Sequence, residues 1–426
     1  MKKPLWTLGS CAMMLALPHT AMAQQATELT FWTFQQAHAT FFEDAEAQWN
    51  EANPDRPIDL NAEVYPYDQV HSNLLLALQS GRGAPDLADI EVRQISNYLQ
   101  GDVPLVPLND VVEPVLDEMV TSRFDIYAKD GNYYGVDYHV GASVMYYNQE
   151  IMDAAGVNID DIETWEDYAA AGEQVTANTD AVMTTFESDD IFSFWIMIAQ
   201  QGSDIFDADG QVSLDNQTNI DTLQFMQDMI HEHGTARAAP GGGHHSEEYF
   251  GFMNNGGAAS VMMPMWYMGR FIDNMPDLEN KMQVRPLPRW TEGGDRSAGM
   301  GGTGTVITRQ SADTELAKEF LAFAKLTRDA NIRLWTVLGF DPIRHEVWDS
   351  EEVQADNAYY QFFHEGIFNI LLDIRDEIPG VNIHELTPTA QQVIETNTLH
   401  TALRTGNRTA EQALTQAADE IRMRMR

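Results

Sequence analysis

Aromatic rings and hydroxyl-pairing side chains recur in this chain at one kind of place, just past the carboxyl ends of its apolar strand-like runs. Trp32, Phe34 and Gln35 follow the first run, and Glu91 follows the run ending at Ile90. Tyr138, His139 and Ser143 flank a later polar-to-apolar transition, and Trp266 and Tyr267 follow the run ending near Met263. Gly301, Gly302 and Thr303 precede the run Thr305 to Thr308, while Phe340 and Arg344 bracket Asp341-Pro342. Tyr67, after Pro66, and Trp195, within Phe192 to Ile198, complete the set. Flat π-faces cover apolar C–H surface, whereas carboxylates, amides and arginine pair with hydroxyls, so the complement suits a polyhydroxylated ligand held without covalent chemistry. Several of these residues have a second reading: Trp32 and Trp195 as core, Glu91 as an acid at a helix N-terminus, His139 as a satisfied buried histidine.

Reactive-site motifs are poorly supported. Gly299-x-Gly301-x-x-Gly304 follows a polar loop and leads into a strand, the reverse of a dinucleotide-binding context. Asp207-Ala208-Asp209-Gly210 lacks the glutamate of a calcium loop and reads as a hairpin turn. His244-His245 with Glu247-Glu248 follows three glycines and reads as a mobile acidic loop. No Walker loop, nucleophile elbow or HExxH pattern occurs. The expectation is therefore no catalytic residue, no metal and no cofactor.

The elements that must position these residues are legible in part. Glu28 to Phe34 reads as a strand, and Phe41, Ala45 and Trp49 mark a helix that stops before Asn53-Pro54. Ile58 to Val64 alternates as a strand, and Val70, Leu74, Leu75 and Leu78 mark a second helix ending at Ser80-Gly81. Leu87 to Ile90 is the third strand. This order implies an α/β fold with a parallel, right-handed sheet. Further on, the spacing predicts a helix from Trp165 to Val175, strands Ala259 to Met263 and Thr305 to Thr308, and helices Glu315 to Leu326, Pro388 to Leu403 and Thr409 to Met423. Thr409 with Gln412 forms a capping box.

The first residues read as an export signal: Lys2 and Lys3, an apolar run from Leu5 to Leu17, then Ala21-Met22-Ala23 as a cleavage site. Cleavage after Ala23 predicts a periplasmic or extracellular protein; Leu8-Gly9-Ser10-Cys11 offers a lipoprotein alternative, with Cys11 placed early for that role. Loss of residues 1–23 removes the one cysteine, so no disulfide is available to the remainder. It also removes two of the 25 basic residues, leaving 23 against 65 acidic ones, a formal charge of -42 instead of -40. Such a surface repels nucleic acid and anionic lipid and suits a saline exterior, where repulsion is screened within about 10 Å.

The order of landmarks resembles the family 1 extracellular solute-binding proteins of bacterial carbohydrate ABC importers, arabinose- and lactose-type in particular. The resemblance rests on Glu28-Leu29-Thr30-Phe31-Trp32, Ala84-Pro85-Asp86-Leu87, Leu105-Val106-Pro107-Leu108, Tyr134-Gly135, Met145-Tyr146-Tyr147-Asn148, Thr164-Trp165-Glu166-Asp167-Tyr168, Phe250 with Gly256-Gly257-Ala258-Ala259, Glu319 to Phe323 and Gly339-Phe340-Asp341-Pro342. Asp137 departs from the proline common there. The resemblance implies a two-lobed periplasmic-binding-protein (Venus-flytrap) fold with crossing hinge strands, lobe one being 24–137 plus 300–343 and lobe two 138–299 plus 344–426. It implies a monomer that captures a mono- or oligosaccharide between the lobes and delivers it to a membrane permease, with Glu91, Trp266 and the Gly301-Gly302 segment lining the pocket. Two rival readings remain open at this point: a secreted glycosidase or lyase, and a receptor for a non-sugar solute such as a polyamine or compatible solute.

Overall fold

A computed structural model describes residues 26–364 and 366–425. The signal segment, Cys11 and the Ala23 cleavage position lie outside the described residues. β1 (Thr27–Thr33) pairs in parallel with β2 (Ile58–Val64) and β3 (Leu87–Glu91), joined by α1 (Gln36–Ala52) and α2 (Tyr67–Ser80). α1 forms because His38, Ala39, Phe41, Phe42, Ala45 and Trp49 share one buried face; α2 stops at Gly81, whose φ of 73° is the left-handed conformation a helix end favours.

The parallel expectation holds for these three strands and fails beyond them. Thr303–Ile307 pairs antiparallel with β3, and Gly135–Asp137 pairs antiparallel with Thr303–Ile307, giving a mixed five-stranded sheet. Both strands arrive from elsewhere in the chain, so periodicity in the first 90 residues carried no information about their direction. A second, antiparallel sheet joins Ser143–Asn148 to Ser260–Pro264 on one side and Met282–Arg285 on the other. The chain therefore crosses between sheets at 137–143 and again at 285–303. The C-terminal helix Ala410–Arg424, capped by the Thr409–Gln412 box, packs on Gln217–Gln227 beside the smaller sheet. The stretch expected to be one helix from Pro388 to Leu403 instead begins as Thr387–Val393 and continues through wider π turns at Ile394–Thr398 and His400–Arg404.

The first crossover is anchored by buried charge. Asp137 accepts bonds from Tyr138 N (2.8 Å) and Thr303 N (3.0 Å) through Oδ1, and from Arg123 Nη2 (2.6 Å) through Oδ2. Arg123 Nη2 also donates to Gly301 O at 2.8 Å. A proline could make none of these contacts, which explains how an aspartate serves at this position. At Gly302, φ is 133° and an added Cβ would lie 1.9 Å from Arg123 Nη2, so glycine is required there.

Candidate functional site

Between the two sheets lies a cavity of about 1080 Å³. Ten of the residues singled out in the sequence line it: Phe34, Gln35, Tyr67, Glu91, His139, Trp266, Gly301, Gly302, Thr303 and Phe340. Their convergence follows from topology, since β1, β3 and Ser260–Pro264 all end at this crevice.

On the larger sheet's side, Glu91 terminates β3. Its carboxylate accepts from Arg93 Nε (3.0 and 3.1 Å), from Arg93 N (2.9 Å) and from the Tyr67 hydroxyl (3.1 Å). Burial pushes the Glu91 carboxyl up, against the pull of Arg93. His71 supports the group from behind: Nδ1 meets Tyr67 O at 2.8 Å and Nε2 accepts from Glu91 N at 3.2 Å. That pair of bonds assigns the Nδ1–H tautomer, and burial lowers the imidazole pKa to about 4.

On the opposite wall, Trp266 follows Pro264, and its Nε1 donates to Met300 O at 3.1 Å. The indole stacks on His245 (5.7 Å, 19°) and meets the edge of Phe192 at 5.6 Å. Gly301, with φ of 74°, passes so close that a Cβ there would be 3.0 Å from Trp266 Nε1.

The two walls are joined by groups that the sequence reading missed. Arg93 Nη1 reaches Asp190 Oδ1 at 3.2 Å and Glu395 Oε1 at 3.5 Å, and its guanidinium sits 4.5 Å from the Phe192 ring centre. Arg270 Nη2 donates to Gln35 Oε1 at 2.7 Å. Burial pushes the Glu395 carboxyl up to about 8, with Asp190 adding to the effect. Arg93 was within reach of sequence reasoning, being two residues past Glu91 at the same strand end. Asp190 and Glu395 carried no local pattern.

Six candidates lie off the cavity. Trp32 leaves β1 on the other face and packs edge-on against Tyr65 at 5.3 Å. Tyr138 is fully buried, stacked on His38 (4.1 Å) with its hydroxyl bonded to Asp89 (3.2 Å) and Lys325 Nζ 3.3 Å from its ring centre. Ser143 is buried in its strand opposite Pro264. Trp195 is core, its Nε1 donating to Asp204 at 2.8 Å. Tyr267 is buried and donates to His244 O. Arg344 turns outward to Glu118 and Glu346. Ser143 has no hydrogen-bond partner for its buried hydroxyl; each of the other five side chains bonds or packs against a protein neighbour instead of the cavity.

The histidine-acid loop also differs from expectation. His244 is buried, with Nε2 2.9 Å from Thr185 Oγ1, and Ser246 caps the helix Glu247–Asn254, so the segment is structured. Among the described residues, the ion-compatible group is instead Glu187, Asp190 and His245, whose ligand atoms lie within 4.8 Å of one another. Arg93 already supplies the positive charge beside Asp190. Asp207–Gly210 forms the expected tight turn, Asp207 N bonding to Gln211 O.

Comparison with known proteins decides the family. A model described as bacterial extracellular solute-binding protein matches residues 33–330. The chain belongs to this family. Membership places this solute-binding protein outside the cytoplasm, secreted or periplasmic. It is 57% identical over 400 residues to the arabinooligosaccharide-binding protein of Halalkalibacterium halodurans, covering 94% of this chain and 90% of the relative. The arabinooligosaccharide-binding protein of Bacillus subtilis is 51% identical over 401 residues, covering 93% and 92%. Among solved structures, the ABC-transporter-associated binding protein of B. animalis subsp. lactis, in complex with β-1,6-galactobiose, superposes with a TM-score of 0.79 at 20% identity, covering 93% of this chain and 97% of that one. The acarbose-binding receptor GacH of Streptomyces glaucescens gives 0.77 at 18%, covering 94% and 98%. These likenesses establish the two-lobed fold.

Proposed function

We propose that this solute-binding protein captures an arabinose-based oligosaccharide between its lobes and delivers it to the membrane permease of an ABC importer. The observation that carries the reading is the interlobe cavity, which presents Tyr67 and Glu91 from one wall and Trp266 and Phe192 from the other. Its volume of about 1080 Å³ slightly exceeds the usual small-ligand pocket, about 300–1,000 Å³, which favours several sugar units over one. The two relatives above 50% identity supply the sugar type. The closing bodies are residues 24–137 plus 300–343 and 138–299 plus 344–426, and the mature chain starts after Ala23 and acts as a monomer. Closure follows because the ligand touches both walls only when they meet, which shifts the population toward the shut form. No reaction is performed: Glu91, the buried acid of the cleft, is held by Arg93 and Tyr67, an arrangement that positions it as a hydrogen-bond acceptor.

A thermal-shift and calorimetric panel of arabino-, galacto- and malto-oligosaccharides tests this. Arabino-oligosaccharide at a hundredfold excess over Kd is expected to stabilise by about 2.7 kcal/mol. Product formation from any of these sugars, or binding of none, would overturn the proposal.

A further inference from the structure

One ring nitrogen at the floor of the cleft lacks a protein partner. His38, in the first turn of α1, lines the cavity beside Phe34 and Phe340. Its Nδ1 lies 2.8 Å from Asp89 Oδ2. Asp89 is fully buried and also accepts from the hydroxyls of Thr33 (2.7 Å), Thr305 (2.7 Å) and Tyr138 (3.2 Å). Four donors around one carboxyl group mark an ionised acceptor, so the His38 proton sits on Nδ1. In the neutral imidazole, Nε2 is then left as an acceptor. The ring itself is firmly held: Tyr138 stacks on its face at 4.1 Å, and Phe340 and Phe34 meet it edge-on at 5.7 and 6.0 Å. Among the described residues none bonds Nε2, and unlike Nδ1 of His139 it is not sealed away from the cavity.

We infer that His38 is a specificity-determining ligand contact, its Nε2 accepting the hydrogen of one sugar hydroxyl. The inference deepens the proposed function by assigning a residue to it, and it rests on the same cavity being the sugar site. An atom that only accepts cannot pair with an alkylated or acylated oxygen, which has no hydrogen to give, so the ligand must leave that one hydroxyl free. The flanking phenyl rings keep water from the bond, and a hydrogen bond in such surroundings is stronger than in water. The buried Asp89 carboxylate thereby takes part in recognition from behind: a ring pinned at Nδ1 keeps one tautomer and cannot flip to present a C–H in place of Nε2.

The test reads Nε2 directly, by nitrogen NMR of the intact protein carrying isotope-labelled histidine at about pH 8, above the ordinary imidazole range. The His38 Nε2 resonance is expected in the position of an unprotonated imidazole nitrogen and should move upfield on saturation with arabino-oligosaccharide. Two variants separate recognition from bracing. His38→Asn keeps a donor for Asp89 and deletes the atom facing the cavity, whereas His38→Gln carries an amide oxygen as far as Nε2 and loses the Asp89 bond. Binding is expected to be roughly tenfold weaker in His38→Asn, with His38→Gln closer to the original. A histidine that merely braces Asp89 gives the reverse order. Among single-deoxy sugars, one should lose about tenfold against the unsubstituted protein and almost nothing further against His38→Asn. An Nε2 resonance unmoved at saturation, or a His38→Asn affinity within about twofold of the original, would overturn the inference while leaving the sugar site intact. Should a variant fail to fold, the resonance of the unsubstituted protein decides alone. Failure of the sugar to bind that protein would instead overturn the proposed function.

Discussion

Trp266 offers the sharpest test of how the cleft holds its ligand. The indole is fixed by the bond from Nε1 to Met300 O (3.1 Å), by the parallel His245 ring and by the Phe192 edge. Gly301 closes off the side near Nε1, leaving the rest of the ring to the cavity. An aromatic side chain offers roughly 200 Å² to burial, and a ligand stacked on one face covers about half of it. At about 25 cal/mol per Å², that contact contributes about 2.5 kcal/mol, a factor of about 70 in Kd. Trp266→Ala should therefore weaken arabino-oligosaccharide binding by about that factor in calorimetry, with the far-UV spectrum unchanged. Trp266→Phe keeps a flat ring and loses the bond to Met300, so its Kd should fall between the two, roughly tenfold above the unsubstituted protein. A change of less than about threefold for the alanine variant, with the fold intact, would refute the stacking argument.

Removal of the guanidinium in Arg93→Met leaves Glu91, Asp190 and Glu395 without their shared cation. Breaking such a buried pair costs about 3–5 kcal/mol, so Tm should fall, and small-angle scattering should show a wider molecule in the presence of sugar, with Arg93→Lys closer to the original. His71 should keep its Nδ1–H tautomer in nitrogen NMR down to a pH near 4. Because its folded pKa lies below the unfolded value near 6.5, the stability it contributes is present above 6.5 and is lost as pH falls toward 4; an ordinary titration near 6.5 would contradict this. Gly302→Ala adds a Cβ against the Arg123–Asp137 pair at a φ of 133°, and a loss of more than about 2 kcal/mol in denaturant unfolding is expected.

The fold was legible where local pattern and tertiary demand coincide. Ile58–Val64 alternates because its inward side chains meet α1, and its bounds match the sequence reading. Strand direction beyond β3 was hidden, since Thr303–Ile307 reaches β3 from more than 200 residues away. In the site, strand-end logic located Phe34, Glu91 and Trp266 at the cavity, because a strand's carboxyl end faces the crevice whatever its sequence. It misplaced Trp32, Tyr138 and Tyr267, and left Trp195 open between core and ligand, because an aromatic ring has the same residue type whether it covers a ligand or fills a core. The deciding facts were neighbours: Asp89 for the Tyr138 hydroxyl, Asp204 for the Trp195 indole. Arg344 misled for a similar reason, Glu118 lying within its reach on the outer face.

The polar cluster beneath the cleft bears on how the molecule is made. Asp89 gathers Thr33, His38, Tyr138 and Thr305, and Lys325 bonds both Thr305 and Val136 O. Its members come from both ends of a chain interrupted by the whole smaller sheet. A polypeptide emerging amino-end first exposes β3 with an unpaired edge until residues beyond 300 appear, because antiparallel closure by Thr303–Ile307 is the step that seals it. Early compaction is thereby delayed in favour of threading. For a protein that leaves the cytoplasm, the larger sheet cannot close before synthesis has entered the last third of the chain.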